Sequence, residues 1–379
     1  MSAPRQMEVF AINRENLSLT YGTPAPLIFT GATPAIAAPW DAFDMNVEND
    51  AAELDKFTGD MDRKFIDTTI QNYTGRASTQ VWADFNAELG VRNNVWELCG
   101  ISRNYAPADD ADYGSYANLG VDGNVPVASY GVGDDPFAAG DPPDTYAFTV
   151  WHWDAAAKQM VRSTGVKCDT FRMNCSGTPG AAAKLIVDMD LRGQGETVLD
   201  TGWTGAPNRP SISSTYWTLP TAESYQFSDA AFYVTQSGLV ADVELEFNVL
   251  DFNIEVRNNL QVGPPGALDA DGNATKQIKW LSAGTRDITM NFTVRTQRTG
   301  LQNENAFNYL NAVRSMQKGM TFYAKFTRGT RVLTVNLPDL VIVTAPRQGA
   351  MNEVQNLAIS CKARSKLSND AIYVCTYTT

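Results

Sequence analysis

The chain has 379 residues, of which 44% are hydrophobic and 19% charged, and this composition is that of a globular protein large enough for two domains. Its formal net charge of −12 argues against a surface that holds nucleic-acid phosphates through clustered lysines and arginines. No apolar run is long enough for a membrane-spanning helix, and the first residues lack the order of a secretory signal. We therefore expect a protein made in a reducing cytoplasm, with neither a membrane nor a tightly bound nucleic acid as its partner.

Two short motifs of the first half recur in the second half at one fixed distance. Asn46-Val47-Glu48 returns as Asn253-Ile254-Glu255, and Phe85 within an alternating segment returns as Phe292 within another, so that 253 − 46 and 292 − 85 both give 207. A unit of about 200 residues is too long for a solenoid repeat, and each copy should be a domain with its own core. The sequence therefore predicts two related domains, 41–235 and 236–379, after an N-terminal segment 1–40.

The N-terminal segment and the first domain give mostly extended signals. Residues 1–40 are rich in proline and alanine, which favours an extended arm over a helix. Apolar Val81 and Phe85 alternate with polar residues as in a strand, and capping-box spacing between Asn94 and Glu97 predicts a short helix. The stretch near 104–145 is crowded with Asp, Gly and Pro and should be an acidic surface insertion. Further strands are predicted at 146–153, 160–162, 166–175 and 184–192.

The second domain repeats this order with clearer patterns. A strand is predicted over 243–256 and an alternating strand around 288–294. Asn303 is placed to cap a helix with an apolar stripe that includes Phe307, Leu310 and Val313. Four strands should follow, at 320–327, 332–344, 354–363 and 371–378. The predicted fold class is thus mainly β with minor α: two tandem β-sandwich or barrel domains, each with a flanking helix.

Residues that could carry catalysis or hold a metal do not converge in the sequence. His152 is the only histidine and lies between two tryptophans on a strand, a position more typical of a cross-strand polar residue than of a general base. The five cysteines lack metal-like spacing and are interpreted as reduced core residues. Asp269 begins a stretch like a calcium loop, but Ala274 and Trp280 replace its glycine and glutamate. The sequence predicts no catalytic residue, no cofactor and no metal site.

Two strands have one apolar and one polar side, as in a wall that is dry on one side and wet on the other. In the first domain Leu185, Val187 and Met189 alternate with polar residues, and in the second domain the apolar residues are Ile288 to Val294. The polar sides carry the candidate functional residues Lys184, Asp188, Asp190, Arg192, Asn291 and Thr293.

Several segments of the second half resemble the tail tube proteins of long-tailed bacteriophages. They are Ile254–Leu260, Asp287–Thr293, the predicted helix around Asn305-Ala306-Phe307, and the late strands at 333–337, 340–343 and 357–361. The first half is similar only loosely, through the repeat. This resemblance implies a tube domain, a β-sandwich or barrel-like unit with a flanking helix, and a structural protein rather than an enzyme.

The resemblance also implies an assembly. Copies would form a ring in which inner strands continue from subunit to subunit around a lumen, and stacked rings would conduct DNA into the host without binding it specifically. Two tube domains per chain favour a ring of three chains, a pseudo-hexamer, with six chains as the alternative. The candidate residues above would face the lumen, and a helix carrying Asn305, Phe307, Leu310 and Val313 would contact the neighbouring subunit. The implied partners are further copies of the chain, the tail terminator, the distal tail protein and the tape measure protein, and the implied location is the virion tail.

Two other classes of function remain open at this stage. In a tandem β-sandwich binding module, an adhesin or carbohydrate binder, Trp82, Trp151 and Trp153 would form a platform on which sugars stack. In a hydrolase, the acidic insertion would hold a metal ion. Exposed tryptophans would favour the first alternative, and rings or tubes would exclude both.

Overall fold

The computed structural model describes about half of the chain. The described residues are 7–15, 21–24, 42–53, 66–81, 102–104, 128–132, 147–154, 159–177, 183–199, 223–235, 245–246, 249–266, 277–282, 284–295, 320–345, 347–348, 356–364 and 372–378.

These residues form twenty strands, eighteen of them in one large antiparallel network and two in a small separate sheet. The strands of the first half are β1 (Met7–Arg14), β2 (Ala42–Glu53), β3 (Ile66–Gln80), β4 (Ser102–Asn104), β5 (Ala128–Val132), β6 (Phe148–Asp154), β7 (Gln159–Ser176), β8 (Ile186–Gly193) and β9 (Gly195–Leu199). Those of the second half are β10 (Ala230–Thr235), β11 (Leu245–Glu246), β12 (Val249–Arg257), β13 (Gln261–Val262), β14 (Leu281–Ser282), β15 (Asp287–Arg295), β16 (Met320–Arg328), β17 (Arg331–Thr344), β18 (Arg347–Gln348), β19 (Asn356–Ala363) and β20 (Ile372–Thr378).

Helical structure is nearly absent from the described part of the chain. It is limited there to the 3-10 turn Phe227–Asp229 and the single 3-10 residue Ala183. The helices predicted near 94–99 and 303–319 lie outside the described residues, and with them Asn305, Phe307, Leu310 and Val313. Among the described residues, no helix has the length and apolar character needed to span a membrane. The mainly β fold class is therefore confirmed, whereas the flanking helices stay a prediction.

A central sheet runs through both halves of the chain in the order β2-β3-β8-β7-β12-β15-β19-β17, with every neighbour antiparallel. Its middle joint is the pairing of β7 with β12, from Thr170 opposite Arg257 to Ser176 opposite Asp251. Successive side chains of a strand point to opposite faces, so the alternating sequences bury one face of this sheet and leave the other open. Through this joint, strands from both halves build one continuous surface.

A second layer covers the apolar face of the central sheet. The N-terminal part of β7 pairs with β6 and β9, and β6 pairs with β1. The N-terminal part of β17 pairs with β16 and β20, while β10 lies beside β16. Both long strands therefore contribute their N-terminal part to the covering layer and their C-terminal part to the central sheet.

Aromatic side chains fill the space between the two layers. Phe232 of β10 lies 5.4 Å from Phe252 of β12, and Phe322 of β16 lies 5.4 Å from Phe292 of β15, measured between ring centroids. Phe326 is fully buried against this group. In the first half, ring contact between Phe43 and His152 joins β2 to β6. Burial of these large rings supplies much of the apolar area that holds the layers together.

The strands of the two halves pair in the same order. Six pairings within the first half are β1–β6, β2–β3, β3–β8, β6–β7, β7–β8 and β7–β9. Six pairings within the second half are β10–β16, β12–β15, β15–β19, β16–β17, β17–β19 and β17–β20. Each pairing in the first set has one counterpart in the second, and all are antiparallel.

Two segments differ from the expectation drawn from composition. Met7–Arg14, inside the supposed arm 1–40, forms β1 and pairs with β6, and its Ile12 is buried. This stretch contains no proline, and the overall proline content of the segment concealed its strand pattern. Within the acidic insertion, Ala128–Val132 forms β5, which pairs with β20 of the second half. Both segments therefore belong in part to the sheet.

Candidate functional site

The open face of the central sheet carries polar side chains from both halves of the chain, and we call it the polar sheet face. It consists of the side chains that alternate with the buried residues of the central strands. Its members include Asp44 of β2, Arg76 and Ser78 of β3, Asp188, Asp190 and Arg192 of β8, Arg172 and Asn174 of β7, Asp251, Asn253, Glu255 and Arg257 of β12, Asp287, Thr289, Asn291 and Thr293 of β15, and Ser360 and Lys362 of β19.

Arg172 stands at the middle of this face, where the two halves of the chain meet. Its guanidinium lies 3.0 Å from Oδ2 of Asp190 on one neighbouring strand and 2.8 Å from Oε2 of Glu255 on the other. Glu255 also accepts a hydrogen bond from Arg257. Charge-assisted bonds of this kind are stronger than neutral ones, so they strengthen the joint between β7 and β12 beyond its backbone ladder.

The remaining cations of the face are also paired. Arg192 Nε lies 3.1 Å from a carboxylate oxygen of Asp169, and Lys362 Nζ lies 2.6 Å from one of Asp287. The Arg76 guanidinium lies 3.6 Å from Asp190, which it shares with Arg172. The polar sheet face is therefore a mixed network in which each of these cations has a carboxylate partner, rather than a uniformly acidic surface.

The network changes the protonation chemistry of its members. Burial raises the pKa of Glu255, but hydrogen bonds from Arg172 and Arg257 and their charges outweigh it and hold that pKa below its usual value. The hydrogen bond and charge of Lys362 likewise lower the pKa of Asp287. Burial lowers the pKa of Arg172, but bonds and charges from its two carboxylates leave it raised overall. These carboxylates are therefore charged at neutral pH, as ion pairing requires.

A comparison with known protein families identifies the chain. The family described as phage tail tube protein matches residues 19–312. The chain belongs to this family. It is therefore a structural subunit of a phage tail tube, located in the virion tail, and not an enzyme, as the resemblance in sequence predicted.

Two solved structures are similar to parts of this tail tube protein. One is the tail tube of SPP1, with a TM-score of 0.28 and 8% identity over 41% of this chain and 80% of that chain. The other is the tail of an empty GTA particle, with a TM-score of 0.26 and 9% identity over 37% of this chain and 93% of that chain. No curated protein matches the sequence of the chain.

Most residues predicted to be functional lie on the polar sheet face of this tail tube protein. Asp188, Asp190 and Arg192 lie there on β8, and Asn291 and Thr293 lie there on β15, although β7 and β12 separate the two strands. Lys184 precedes β8 and is half-buried in an isolated bridge with Gln226.

Four polar residues between these strands were not predicted to be functional: Arg172 and Asn174 on β7, and Glu255 and Arg257 on β12. A signal was present, since Thr170, Arg172 and Asn174 alternate with apolar residues in the same way as the side chains of β8 do.

The structure also bears on the residues considered for other functions. Trp151 is 2% exposed and unavailable as part of a sugar-stacking platform; the side chains of Trp82 and Trp153 are outside the description. His152 is buried on β6, with its ring 5.5 Å from that of Phe43. Among the described residues no cluster of His, Cys, Asp or Glu is arranged to hold a metal. Asp109, Asp110 and Asp112 of the insertion lie outside them.

The cysteines that the structure describes are core residues. Cys168, Cys175 and Cys361 are buried and form no disulfide. Burial raises the pKa of Cys175 and of Cys361 to about 12, so neither is a reactive thiolate at neutral pH. For these three residues, the interpretation as reduced core cysteines is confirmed.

Proposed function

We propose that three copies of this tail tube protein close into a ring, each copy supplying two tube domains, 41–235 and 236–379, and that such rings stack into the tube. The pairing of β7 with β12 is the observation that carries the proposal. It joins a strand of one half to a strand of the other within a single sheet, as two neighbouring subunits would be joined in a ring of single-domain chains. The matching order of strand pairings in the two halves supports the same view.

We propose further that the polar sheet face lines the lumen. The opposite face of this sheet is buried in the core, and a wall around a water-filled channel needs one dry and one wet side. In this arrangement Asp188, Asp190, Arg192, Asn291 and Thr293 face the channel, and Lys184 lies at its border. The six candidates from the sequence thus come from both domains of each copy.

The pairing of charges gives a physical reason why DNA would pass without sticking. Binding to phosphates needs cations that can exchange a counterion for a phosphate oxygen. Arg172, Arg192 and Lys362 already have carboxylate partners on or beside the polar sheet face, so a phosphate would have to displace a fixed anion at each of them. In this proposal, two features keep the affinity for DNA low: the pairing of the cations with carboxylates and the net negative charge of the protein.

The other predicted partners extend this proposal to the ends of the tube. The tail terminator and the distal tail protein would contact the two end rings, and the tape measure protein would occupy the lumen before DNA does. The predicted helix with Asn305, Phe307, Leu310 and Val313 remains a proposed contact between neighbouring subunits.

Microscopy together with a mass measurement tests the ring. We expect negative-stain images of the purified protein to contain rings or tubes with a central channel, and native mass spectrometry of single rings to give three chain masses. Dispersed monomers under assembly conditions would contradict the proposed ring, and a mass of six chains would contradict the pseudo-hexamer alone.

A matched pair of variants tests the proposal for DNA. Asp190→Asn removes the shared carboxylate partner of Arg76 and Arg172, whereas Asp188→Asn makes the same change of charge at a residue whose contact is a hydrogen bond from the Asn174 amide. We expect assembled tubes of Asp190→Asn to retain more short double-stranded DNA at low salt than tubes of Asp188→Asn. Equal retention would mean that net charge alone sets the affinity.

A further inference from the structure

The two outer edges of the central sheet resemble the two strands that meet inside the chain at the joint of β7 and β12. At one edge β2 has β3 as its strand partner, and at the other the end of β17 has β19, with β18 continuing beside β19. We propose that the β17–β18 edge of one copy pairs antiparallel with β2 of the next copy, with Thr344 opposite Glu48 and Gln348 opposite Asp44. This inference rests on the proposed ring, because it specifies how one copy joins the next.

The strand β17 occupies the place in its half that β7 occupies in the other. β7 slips by one residue against β8 between Cys168 and Thr170, and β17 slips by one residue against β19 between Ile342 and Thr344. The two hairpins that lead into these strands also slip at matching places, near the start of β6 and of β16. Bulges change the local twist of a strand and interrupt its regular pairing. Because the bulges of β7 and β17 lie at matching places, they align the two strands with an offset of 174 residues (342 − 168 and 344 − 170).

The strand β2 occupies the place of β12 in the same way. The rows of opposed residues are Thr170-Asp190-Arg76-Asp44 in the first half and Thr344-Ser360-Asn291-Asn253 in the second. Asp44 therefore corresponds to Asn253, an offset of 209 (253 − 44). This differs by two residues from the sequence offset of 207 and keeps each side chain on the same face, because the strand period is two.

The internal joint then gives the register of the external one. Within the chain Asn174 stands opposite Asn253, and Thr170 stands opposite Arg257. Adding 174 to the first number of each pair and subtracting 209 from the second gives Gln348 opposite Asp44 and Thr344 opposite Glu48. The internal pairs of β18 with β19 agree with this alignment, since Arg347 opposite Leu357 continues the register of Thr344 opposite Ser360.

Backbone hydrogen bonds at the internal joint show which opposed residues form hydrogen-bonded pairs and which do not. The Gly177 N–H donates to the Leu250 carbonyl at 2.7 Å, and the Asn258 N–H donates to the Asp169 carbonyl at 2.7 Å. In an antiparallel ladder hydrogen-bonded and non-hydrogen-bonded pairs alternate, so the pairs transferred above are of the non-hydrogen-bonded type, with Cα atoms about 4.5 Å apart. Cysteines at such a pair lie within the Cα range of a disulfide.

The edge formed by β17 exposes an apolar side chain. Val343 is 64% exposed, the largest exposure among the described large hydrophobic residues, and Thr344 beside it is also exposed. No strand in the described part of the chain pairs with the free side of this edge, and a strand edge that carries an apolar side chain invites pairing with another strand. A second copy would satisfy this edge with the same ladder that joins the two halves internally.

Four double-cysteine variants test the register with matched controls. Asp44→Cys with Gln348→Cys, and Glu48→Cys with Thr344→Cys, are in register between copies. The exchanged combinations, Asp44→Cys with Thr344→Cys and Glu48→Cys with Gln348→Cys, use the same four positions but are out of register by four residues, about 13 Å. After assembly and mild oxidation, we expect the in-register variants to lose most of their monomer band on non-reducing gels and to form species up to a covalent trimer. The exchanged variants and the single-cysteine controls should stay monomeric.

The results distinguish failure of the proposed strand register from failure of the proposed ring. Rings under reducing conditions without in-register cross-links, or with equal cross-linking of the exchanged variants, would overturn the register and leave the ring intact. Absence of rings in the unmodified protein would overturn the proposed function itself. If the variants do not assemble, hydrogen exchange of the unmodified protein tests the joint instead. We expect peptides over 42–48 and 341–348 to become more protected from exchange when the protein assembles. If either peptide gains no protection, the proposed joint is refuted.

Discussion

The ion pair between Arg172 and Glu255 should be the strongest coupling between side chains at the joint of the two halves. Its atoms are 2.8 Å apart, and the side chains are 35% and 16% exposed. Exposed ion pairs contribute about 0.2–1 kcal/mol to the free energy of unfolding, and hydrogen bonds to charged groups contribute about 1.5–3 kcal/mol. A half-buried pair falls between these limits, so we expect a coupling of about 1 kcal/mol in a double-mutant cycle of Arg172→Met and Glu255→Gln.

The matched control for this cycle is Lys362→Met with Asp287→Asn. This pair lies on the same face at 2.6 Å, but its side chains are 55% and 42% exposed, and its coupling should be at most about 0.5 kcal/mol. Urea unfolding of the unassembled protein, followed by tryptophan fluorescence, gives the four stabilities of each cycle without adding salt that would screen the charges. A coupling of Arg172 with Glu255 no larger than that of the control pair would refute the reasoning from burial.

Three further results are expected. Phe326→Ala, which empties a fully buried site between the layers, should lower the free energy of unfolding by about 3–5 kcal/mol in urea titrations, and a loss below about 1 kcal/mol would contradict the described core. Because the folded-state pKa of Glu255 is lowered, its stabilising effect is present above the ordinary value of 4.5 and is lost as pH falls through the folded pKa, so wild type and Glu255→Gln should converge in stability at acid pH; a constant difference would argue against the ion pair. Cys175 and Cys361 should resist iodoacetamide at pH 8 in the folded protein and react in urea, as peptide mass mapping would detect; rapid labelling without urea would mean that they are not buried.

Local patterns predicted several strands of the central sheet and the buried face of each, but they predicted no strand at β2 or β3. Alternation around Asp188 and around Asn291 identified β8 and β15 and their polar sides, and both strands have the expected burial. Where composition was averaged over a long segment, the prediction was less accurate. β1 and β5 are short strands inside segments dominated by proline or by aspartate and glycine, and each is held by pairing with a strand distant in sequence.

Periodicity did not predict which strand lies beside which. The pattern of a strand encodes its two faces, whereas its neighbours depend on contacts between residues far apart in the chain. Arg172 and Glu255 are 83 residues apart, and nothing in either local sequence indicates that they meet. The ion-pair network could not be predicted from the sequence for the same reason, although Arg172, Asp190 and Glu255 are polar residues on predicted strands.

The charges of the polar sheet face give a more specific physical picture than net charge does. A surface with acids alone would repel DNA over the length of a channel, but it would also repel itself wherever copies place like charges close together. A surface with arginines held by carboxylates on neighbouring strands avoids both strong repulsion and strong attraction, and the same ion pairs hold β8, β7 and β12 together. In the proposed lumen, one set of interactions would thus strengthen the joint between the halves and occupy the cations that phosphate would otherwise bind. For a wall past which a polyanion must slide, stability of the sheet and weak affinity for DNA are therefore linked properties, and removing Asp190 should weaken the sheet and raise the affinity together.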